Sequence, residues 1–274
     1  MVRPSSSMRL RHSIQHRETN APWVGKGFQR SMIIYGVNPT VEALRAGTVA
    51  KIWVRNGANR RVEQIVSLAR RAGISVCRFE IPELNRLVSG EAHQGIVAEL
   101  VESRPGTLSG LLENVSESPL IVVLDGIEDP RNFGAVARTA EAAGVDGMVY
   151  QKRRSALVGA TAAKVSAGAL AHIRLAAVVN VSRALEELKR AGVWTVGLDN
   201  DAKLSYHNLD LTGPIAFVIG AEGKGLRRLV RERCDWCASI PMCGQVSSLN
   251  VSVAAGVALF EAVRQRDKKR VDSR

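Results

Sequence analysis

The sequence of 274 residues predicts an α/β protein whose larger part is built on an open parallel sheet. Leu120–Leu124 is an uninterrupted apolar run, which is typical of a parallel strand buried on both faces. A helical stretch from about Asn132 to Ala143 follows and ends at Gly144, a residue suited to a helix C-terminus. Further strands, separated by helices, are predicted at Gly147–Tyr150, His172–Leu175, Val193–Leu198, Ile215–Ile219 and Ala238–Ile240. This alternation predicts helices on both faces of the sheet.

A smaller α/β module is predicted at residues 31–100. Strands Lys51–Val54 and Ile74–Phe79 flank a helix, Arg60–Ala72, whose arginines give the module a basic surface. Four apolar residues of this helix share one face, and they are Val62, Ile65, Val66 and Ala69. Residues 101–118 are polar and rich in turn-forming residues, which favours a linker between the two domains.

The first 30 residues have the composition of a disordered basic arm. They hold six Lys or Arg residues and one acidic residue, Glu18, without apolar periodicity. An organelle transit peptide has a similar composition, and a true start at Met8 or Met32 is a further alternative.

Charge and cysteine content restrict the partners and the compartment. A formal net charge of +12 favours a polyanionic partner, and nucleic acid is the commonest one for a soluble protein. No apolar run is long enough to span a bilayer, so we expect a soluble protein without a membrane partner. The four cysteines are too few for a disulfide framework and favour a reduced, cytoplasmic protein. Cys234, Cys237 and Cys243 lack a nearby fourth ligand, so we expect no metal.

Two polar loops interrupt the apolar pattern near the C-terminus. Gly220-Ala221-Glu222-Gly223-Lys224-Gly225 follows a strand, and Ser247-Ser248-Leu249-Asn250 opens an apolar helix. Loops at the carboxyl ends of parallel strands are the usual ligand sites of α/β sheets. Glu222 would repel a phosphate, and neither the Walker pattern nor a dinucleotide-binding glycine motif is present, which argues against ATP and NAD as ligands.

Three segments together resemble the motifs of the SpoU (TrmH) RNA ribose 2′-O-methyltransferases. They are Asn132-Phe133-Gly134-Ala135-Val136-Ala137-Arg138-Thr139-Ala140, Gly220–Leu226, and Ile240-Pro241-Met242-Cys243-Gly244 with Val246–Ala254. The resemblance implies a trefoil-knotted catalytic domain at residues 119–266, followed by a basic tail at 267–274. Residues 31–100 resemble the family's substrate-binding domain, which is related to ribosomal protein L30e and closes with Ala92-His93-Gln94-Gly95-Ile96. For His93 itself, a turn residue satisfied by the backbone is the alternative to a functional role.

The resemblance also implies site residues and a cofactor. The methyl donor is S-adenosylmethionine, bound largely through the backbone of Leu198, Asp199, Gly220, Ile240, Pro241, Met242 and Leu249. The catalytic set is Arg138, Glu222, Asn132, Ser248 and Asn250. An arginine side chain stays protonated in proteins and is a poor base, so we interpret Arg138 as a phosphate clamp that stabilises a developing alkoxide. Glu222 is the candidate for positioning or proton transfer. Without the resemblance, the position of Asn132 at the start of the predicted helix indicates a helix N-cap.

The pattern that continues through Leu259–Arg266 favours the branch of the family that methylates a guanosine of 23S ribosomal RNA. A tRNA ribose methyltransferase, a resistance-type enzyme acting on adenosine, and a non-catalytic ribosome-assembly factor remain as alternatives. The helix from Leu249 to Arg264 carries more apolar residues than one buried face requires. We therefore expect a homodimer that pairs through this helix, as the resemblance implies; a knot that encloses the helix is the alternative.

Overall fold

The computed structural model describes residues 32–88, 90, 92–101, 106–113, 115–152 and 158–272. The predicted basic arm lies outside these residues.

The first part of the described chain folds as a four-stranded sheet with three helices. Its elements are β1 (Met32–Tyr35), α1 (Val37–Arg45), β2 (Val49–Arg55), α2 (Arg60–Arg71), β3 (Ser75–Phe79), α3 (Ile81–Leu87) and β4 (Ile96–Leu100). The strand order is β1-β4-β2-β3; β2 and β3 are parallel, whereas β4 runs antiparallel to both β1 and β2. The predicted module is therefore present, with its strands and its basic helix within a few residues of the predicted bounds.

Helix α2 forms where its sequence signals place it. The Asn59 side chain caps the helix by accepting a hydrogen bond from the Val62 main-chain N–H at 3.0 Å. The charges of Glu63 in the first turn and of Arg70 and Arg71 in the last turn interact favourably with the helix dipole. The apolar face predicted from the sequence is the buried face in the structure.

The second part of the described chain is a seven-stranded sheet flanked by helices. Its elements are α4 (Leu108–Leu112), β5 (Leu120–Asp125), α5 (Pro130–Ala142), β6 (Gly147–Gln151), α6 (Ala160–Val165), β7 (Leu175–Val178), α7 (Val181–Arg190), β8 (Trp194–Leu198), β9 (Leu204–Ser205), β10 (Ile215–Gly220), α8 (Arg228–Arg233), β11 (Trp236–Ser239) and α9 (Val251–Asp272). The strand order is β7-β6-β5-β10-β8-β11-β9, and every strand pair is parallel. The predicted parallel sheet is confirmed.

Alternate residues of β5 show how the sheet is covered on both faces. Leu120, Val122 and Leu124 belong to the apolar cluster that includes α5 and α9. Ile121 and Val123 belong to the cluster on the other face, which includes α4 and α7. Because a strand places successive side chains on opposite faces, an unbroken apolar run is what such a strand requires. The predicted helical layers on both faces are confirmed, and the knot stays a prediction.

One predicted strand is displaced. The sequence suggested His172–Leu175, whereas β7 begins at Leu175. The chain is still turning before this point, because Ala169–Ala171 forms a short 3₁₀ helix and the Ile173 N–H bonds to the Ala169 carbonyl at 3.1 Å.

The segments predicted as a linker and as a basic tail both contain helix. Within residues 101–118, Thr107 caps α4 by accepting a hydrogen bond from the Gly110 N–H at 3.1 Å. Leu111 of α4 packs over Gly147, where a Cβ would lie 2.4 Å from Leu111 Cδ1. At the C-terminus, α9 continues to Asp272 through most of the predicted tail. The polarity of the first segment hid a short apolar face, and the charges of the second are compatible with an exposed helix end.

Candidate active site

Three of the predicted site residues meet at the carboxyl edge of the sheet. The Asn132 Nδ2 group donates to Oε2 of Glu222 at 3.1 Å, and the Asn250 Nδ2 group donates to Oδ1 of Asn132 at 3.2 Å. These residues are separated by 90 and 118 positions along the chain. The fold therefore brings the three sequence motifs together in one hydrogen-bonded cluster.

The direction of this hydrogen-bond chain is fixed at both ends. Oδ1 of Asn250 accepts from the Ser252 main-chain N–H at 2.9 Å, so the Asn250 amide group must turn its Nδ2 toward Asn132. Asn132 in turn presents Nδ2 to a carboxylate, which only accepts while it is ionised. Oε1 of Glu222 makes no hydrogen bond to any other described residue. The cluster thus holds one carboxylate oxygen and leaves the other available.

Asn132 reaches this cluster because it is not the helix cap that the sequence suggested. Helix α5 begins at Pro130, and Asp129 caps it by accepting a hydrogen bond from the Arg131 N–H at 2.8 Å. Asn132 is therefore two residues inside the helix. Its side chain is free to bond across to Glu222, so the simple capping interpretation is wrong.

Glu222 is placed by a tight turn. Ala221 and Gly225 exchange two main-chain hydrogen bonds, of 3.1 and 2.8 Å. Gly223 and Gly225 have φ values of 74° and 63°, a region that favours glycine. At Gly220 a Cβ would lie 2.1 Å from the Gly225 carbonyl carbon. The glycines of this motif therefore shape the turn that carries Glu222.

Arg138 and Ser248 stand apart from the cluster. Arg138 lies six residues beyond Asn132 on α5, which is about 9 Å along the helix axis. Both side chains are exposed, and neither forms a hydrogen bond or ion pair with another described residue. Within one chain, the structure does not bring these two predicted residues into contact with Glu222.

The residues predicted to hold the cofactor follow three adjacent strands of the sheet. Leu198 and Asp199 end β8, Gly220 ends β10, and Ile240, Pro241 and Met242 follow β11. Leu249 lies just before α9. In the described part of the chain, the main-chain groups of Ile240, Met242 and Leu249 have no hydrogen-bond partner. Unpaired backbone donors and acceptors at the carboxyl ends of parallel strands fit a ligand bound through the backbone.

Asp199 is bonded within the chain through both its backbone and its carboxylate. Its main-chain N–H donates to the Ala238 carbonyl at 3.0 Å, and its carbonyl accepts from the Ala202 N–H at 3.1 Å. Its Oδ2 atom is 2.7 Å from Nε of Arg231, and its Oδ1 atom accepts from the Asp201 N–H at 2.9 Å. Both main-chain groups and both carboxylate oxygens of Asp199 are therefore engaged within the chain, and a cofactor contact at this residue stays a prediction.

An ion pair between a buried carboxylate and a half-exposed arginine lies next to the cluster and had no role in the sequence interpretation. The fully buried Asp125 carboxylate accepts from the Arg227 main-chain N–H at 2.9 Å, from Nε at 2.7 Å and from Nη2. Both residues, with Asn132, Glu222 and Lys224, line a cavity of about 260 Å³. The sequence signal for this ion pair was Asp125, an acidic residue directly after the apolar run Leu120–Leu124. A carboxylate is rarely buried at such a position unless it is paired with a cation.

His93 of the substrate-binding motif is held by structural bonds. Its Nδ1 atom accepts from the Gly95 main-chain N–H, and its Nε2 atom lies 3.0 Å from Oδ1 of Asn85. The first bond requires an unprotonated Nδ1, so the ring is neutral with its proton on Nε2. Burial, and then the nearby Arg55 charge, lower the pKa of His93. This is the backbone-satisfied turn residue that was the alternative to a functional role.

Two of the cysteines named in the sequence interpretation have perturbed thiols. Burial raises the pKa of the Cys234 thiol to about 12, and burial also raises the pKa of the Cys237 thiol. Among the described residues, no group of three or more His, Cys, Asp or Glu side chains is placed to hold a metal ion. The helices in the described ranges are also too short or too polar to cross a bilayer.

Two solved structures of one methyltransferase superpose on this chain. The SpoU methyltransferase AviRb from Streptomyces viridochromogenes superposes with a TM-score of 0.76 and 26% identity, over 87% of this chain and 91% of that one. The same protein in complex with the cofactor AdoMet gives a TM-score of 0.75, with 86% and 91% coverage.

Sequence relatives cover nearly the same span. The 23S rRNA (guanosine-2′-O-)-methyltransferase RlmB of Pseudomonas putida is 46% identical over 244 residues, covering 86% of this chain and 98% of the relative. The protein of the same name from Pseudomonas aeruginosa is 45% identical, with 85% and 96% coverage.

Two family models match the two parts of the chain. One, described as RNA 2′-O ribose methyltransferase substrate binding, matches residues 33–106. The other, the SpoU rRNA Methylase family, matches residues 119–260, which hold the whole Asn132–Glu222–Asn250 cluster. The chain belongs to the SpoU rRNA methylase family.

Proposed function

We propose that this protein transfers a methyl group from S-adenosylmethionine to the ribose 2′-hydroxyl of a guanosine in 23S ribosomal RNA. The observation that carries the proposal is the Asn132–Glu222–Asn250 cluster, in which a carboxylate with one free oxygen lies beside a cavity. Relatives that are about 45% identical and bear the name of that activity support the choice of substrate.

Glu222 is the group suited to the hydroxyl proton. A ribose hydroxyl is a weak acid, so its attack on a methyl group is assisted by an acceptor at hydrogen-bond distance. Asn132 holds Oε2 of Glu222, which lines the cavity, while Asn250 holds Asn132, and Oε1 has no hydrogen bond to another described residue. The two amide groups orient the carboxylate and take no proton themselves.

The cofactor supplies an electrophilic methyl group bound to sulfur. In this chain it would be held by the backbone of Leu198, Asp199, Gly220, Ile240–Met242 and Leu249. The support is their placement after three adjacent strands and the unpaired main-chain groups of Ile240, Met242 and Leu249.

The RNA would contact both parts of the chain. We assign residues 31–100 to an RNA-binding domain and residues 119–266 to the catalytic domain, with the basic arm at residues 1–30 adding phosphate contacts. Arg138 is exposed and without a partner among the described residues, which leaves its guanidinium available for a phosphate or a developing alkoxide. Because the proposed target is ribosomal RNA and the relatives are bacterial proteins, we propose that the reaction takes place in the cytoplasm.

A second copy of the chain would cover α9. Its inner face is buried in the core, yet Val253 and Phe260 on another face are each 49% exposed, and Val257 lies between them. Positions i, i+4 and i+7 form one helical stripe, so these residues make a continuous apolar surface. The other residues that the structure describes leave this stripe exposed, and self-association through a twofold axis would bury it.

The test is methyl transfer to a 23S RNA fragment by a Glu222→Gln variant. Glutamine keeps the acceptor for Asn132 but lacks the charge, so we expect a loss of at least about 100-fold in kcat with cofactor affinity unchanged. Glu141→Gln is the matched control, because Glu141 is an exposed carboxylate at the end of the same helix as Asn132 and outside the cavity. Activity of Glu222→Gln equal to that of the control would refute the role of the carboxylate.

A further inference from the structure

We propose that Arg227 is a positioning residue for methyl transfer, because its bonds to Asp125 hold together the two ends of the loop that carries Glu222. These Arg227–Asp125 bonds are called the clasp. The inference rests on the proposed function of that loop. Arg227 acts through the loop and not on the reacting atoms.

Both ends of the loop at residues 221–226 are anchored on the same residue. At its start, Gly220 is the register partner of Asp125 in the parallel pair of β10 and β5. At its end, the Arg227 main-chain N–H donates to Oδ2 of Asp125 at 2.9 Å. Asp125 therefore closes the base of the turn whose exposed part carries Glu222.

The side chain of Arg227 makes this clasp rigid. Nε and Nη2 both donate to Oδ1 of Asp125, and the carboxylate they reach is fully buried. A buried carboxylate without a cation is costly, whereas a planar guanidinium meets it with fixed geometry that an ammonium group cannot copy. The pair thus ties the loop to the end of β5, the strand that leads into the Asn132 helix.

The effect of losing the clasp follows from the geometry. Glu222 is held by its loop and by the single 3.1 Å bond from Asn132, so a looser loop leaves Oε1 less well aimed. Misplacement by about 1 Å can cost about 100-fold in rate. The loss should appear in kcat, because the predicted cofactor contacts outside the loop are unchanged.

The experiment compares Arg227→Gln and Arg227→Lys with Arg228→Gln. Arg228 is the adjacent arginine, exposed and paired with Glu232 on the helix surface, so it controls for the lost charge. We expect hydrogen–deuterium exchange of residues 221–225 to rise in both Arg227 variants and to stay unchanged in Arg228→Gln. With 23S RNA, kcat should fall by about 100-fold for Arg227→Gln, with little rescue by lysine and no change in cofactor affinity.

Two further variants separate positioning from folding. Asp125→Asn/Arg227→Gln removes the unpaired buried charge, so it should fold even if Arg227→Gln does not, and it should keep fast loop exchange and low kcat. In a Glu222→Asp background, Arg227→Gln should cost less than about 10-fold, because the two changes act on the same step.

Hydrogen–deuterium exchange of residues 221–225 that is equal to wild type in Arg227→Gln would overturn the inference. A wild-type kcat in the Asp125→Asn/Arg227→Gln variant would also overturn it. So would a full loss of about 100-fold in kcat when Arg227→Gln is made in the Glu222→Asp background. Fast exchange in the variants, with a wild-type protein inactive on every RNA, would instead refute the proposed function and leave the clasp standing.

Discussion

Arg266 is predicted to hold the end of α9 onto the amino-terminal edge of the sheet. Its guanidinium donates to four main-chain carbonyl groups, those of Ser118 at 2.9 Å, Gly213 at 2.7 Å, Leu211 at 3.2 Å and Pro119 at 3.3 Å. Burial lowers the pKa of Arg266, but an arginine remains charged in proteins. One side chain therefore joins α9 to the segments that precede β5 and β10.

The expected cost of removing this side chain can be worked from those bonds. A hydrogen bond to a charged group contributes about 1.5–3 kcal/mol, and the two bonds shorter than 3 Å set the scale. If the two longer bonds contribute little, Arg266→Ala should lower the free energy of unfolding by about 3–6 kcal/mol. Arg266→Lys should recover about one bond, because a single ammonium group cannot span four acceptors.

Urea denaturation followed by tryptophan fluorescence measures these changes. Lys268→Ala is the matched control, since it removes an exposed positive charge from the same helix and should change stability by less than about 0.5 kcal/mol. A loss below about 1 kcal/mol for Arg266→Ala would show that water replaces the guanidinium at these carbonyls and would refute the reasoning.

Three further predictions concern titration and assembly. Hydrogen bonds from Arg264 lower the pKa of Glu261 to about 2. The stability that this pair contributes is therefore present above about pH 4.5 and is lost as the pH falls toward 2. Glu261→Gln should flatten that part of the curve of unfolding free energy against pH. His93 should stay neutral below its ordinary pKa of 6.5, and its stabilising effect should weaken as the pH falls below that value; NMR titration of its ring that gives an ordinary pKa would contradict this. Val257→Glu or Phe260→Glu should give a less active monomer by light scattering, and a fully active monomer would count against the dimer. Ala258 is unsuited to that test because it is fully buried in the chain's own core.

The sequence predicted elements well where local pattern and tertiary burial agree. The apolar run of β5 and the capped, one-faced α2 were found because their patterns reflect the environment they occupy. Helix α4 was missed because its five residues carry only two buried leucines, Leu108 and Leu111, within a polar segment. Such a short helix is stabilised by packing and has little signal of its own.

The site also contains features that the sequence predicted and features that depend on the fold. Motif resemblance selected Asn132, Glu222 and Asn250, but the hydrogen-bond order among them depends on where α5 begins, and the cap falls at Asp129. The Asp125–Arg227 pair joins residues 102 positions apart and follows only from the register of β5 and β10. Long-range pairings of this kind depend on topology, which local sequence pattern does not specify.

The most direct test of the central claim is to map the methylated atom. Wild-type protein would be incubated with radiolabelled S-adenosylmethionine and transcripts of 23S RNA fragments, with tRNA transcripts as competitors. The account predicts label on a guanosine ribose of a 23S fragment, recognised by an alkali-resistant phosphodiester bond on its 3′ side, and none when Glu222 is replaced by alanine. Label on a base, label on tRNA alone, or transfer that survives the Glu222 replacement would contradict it.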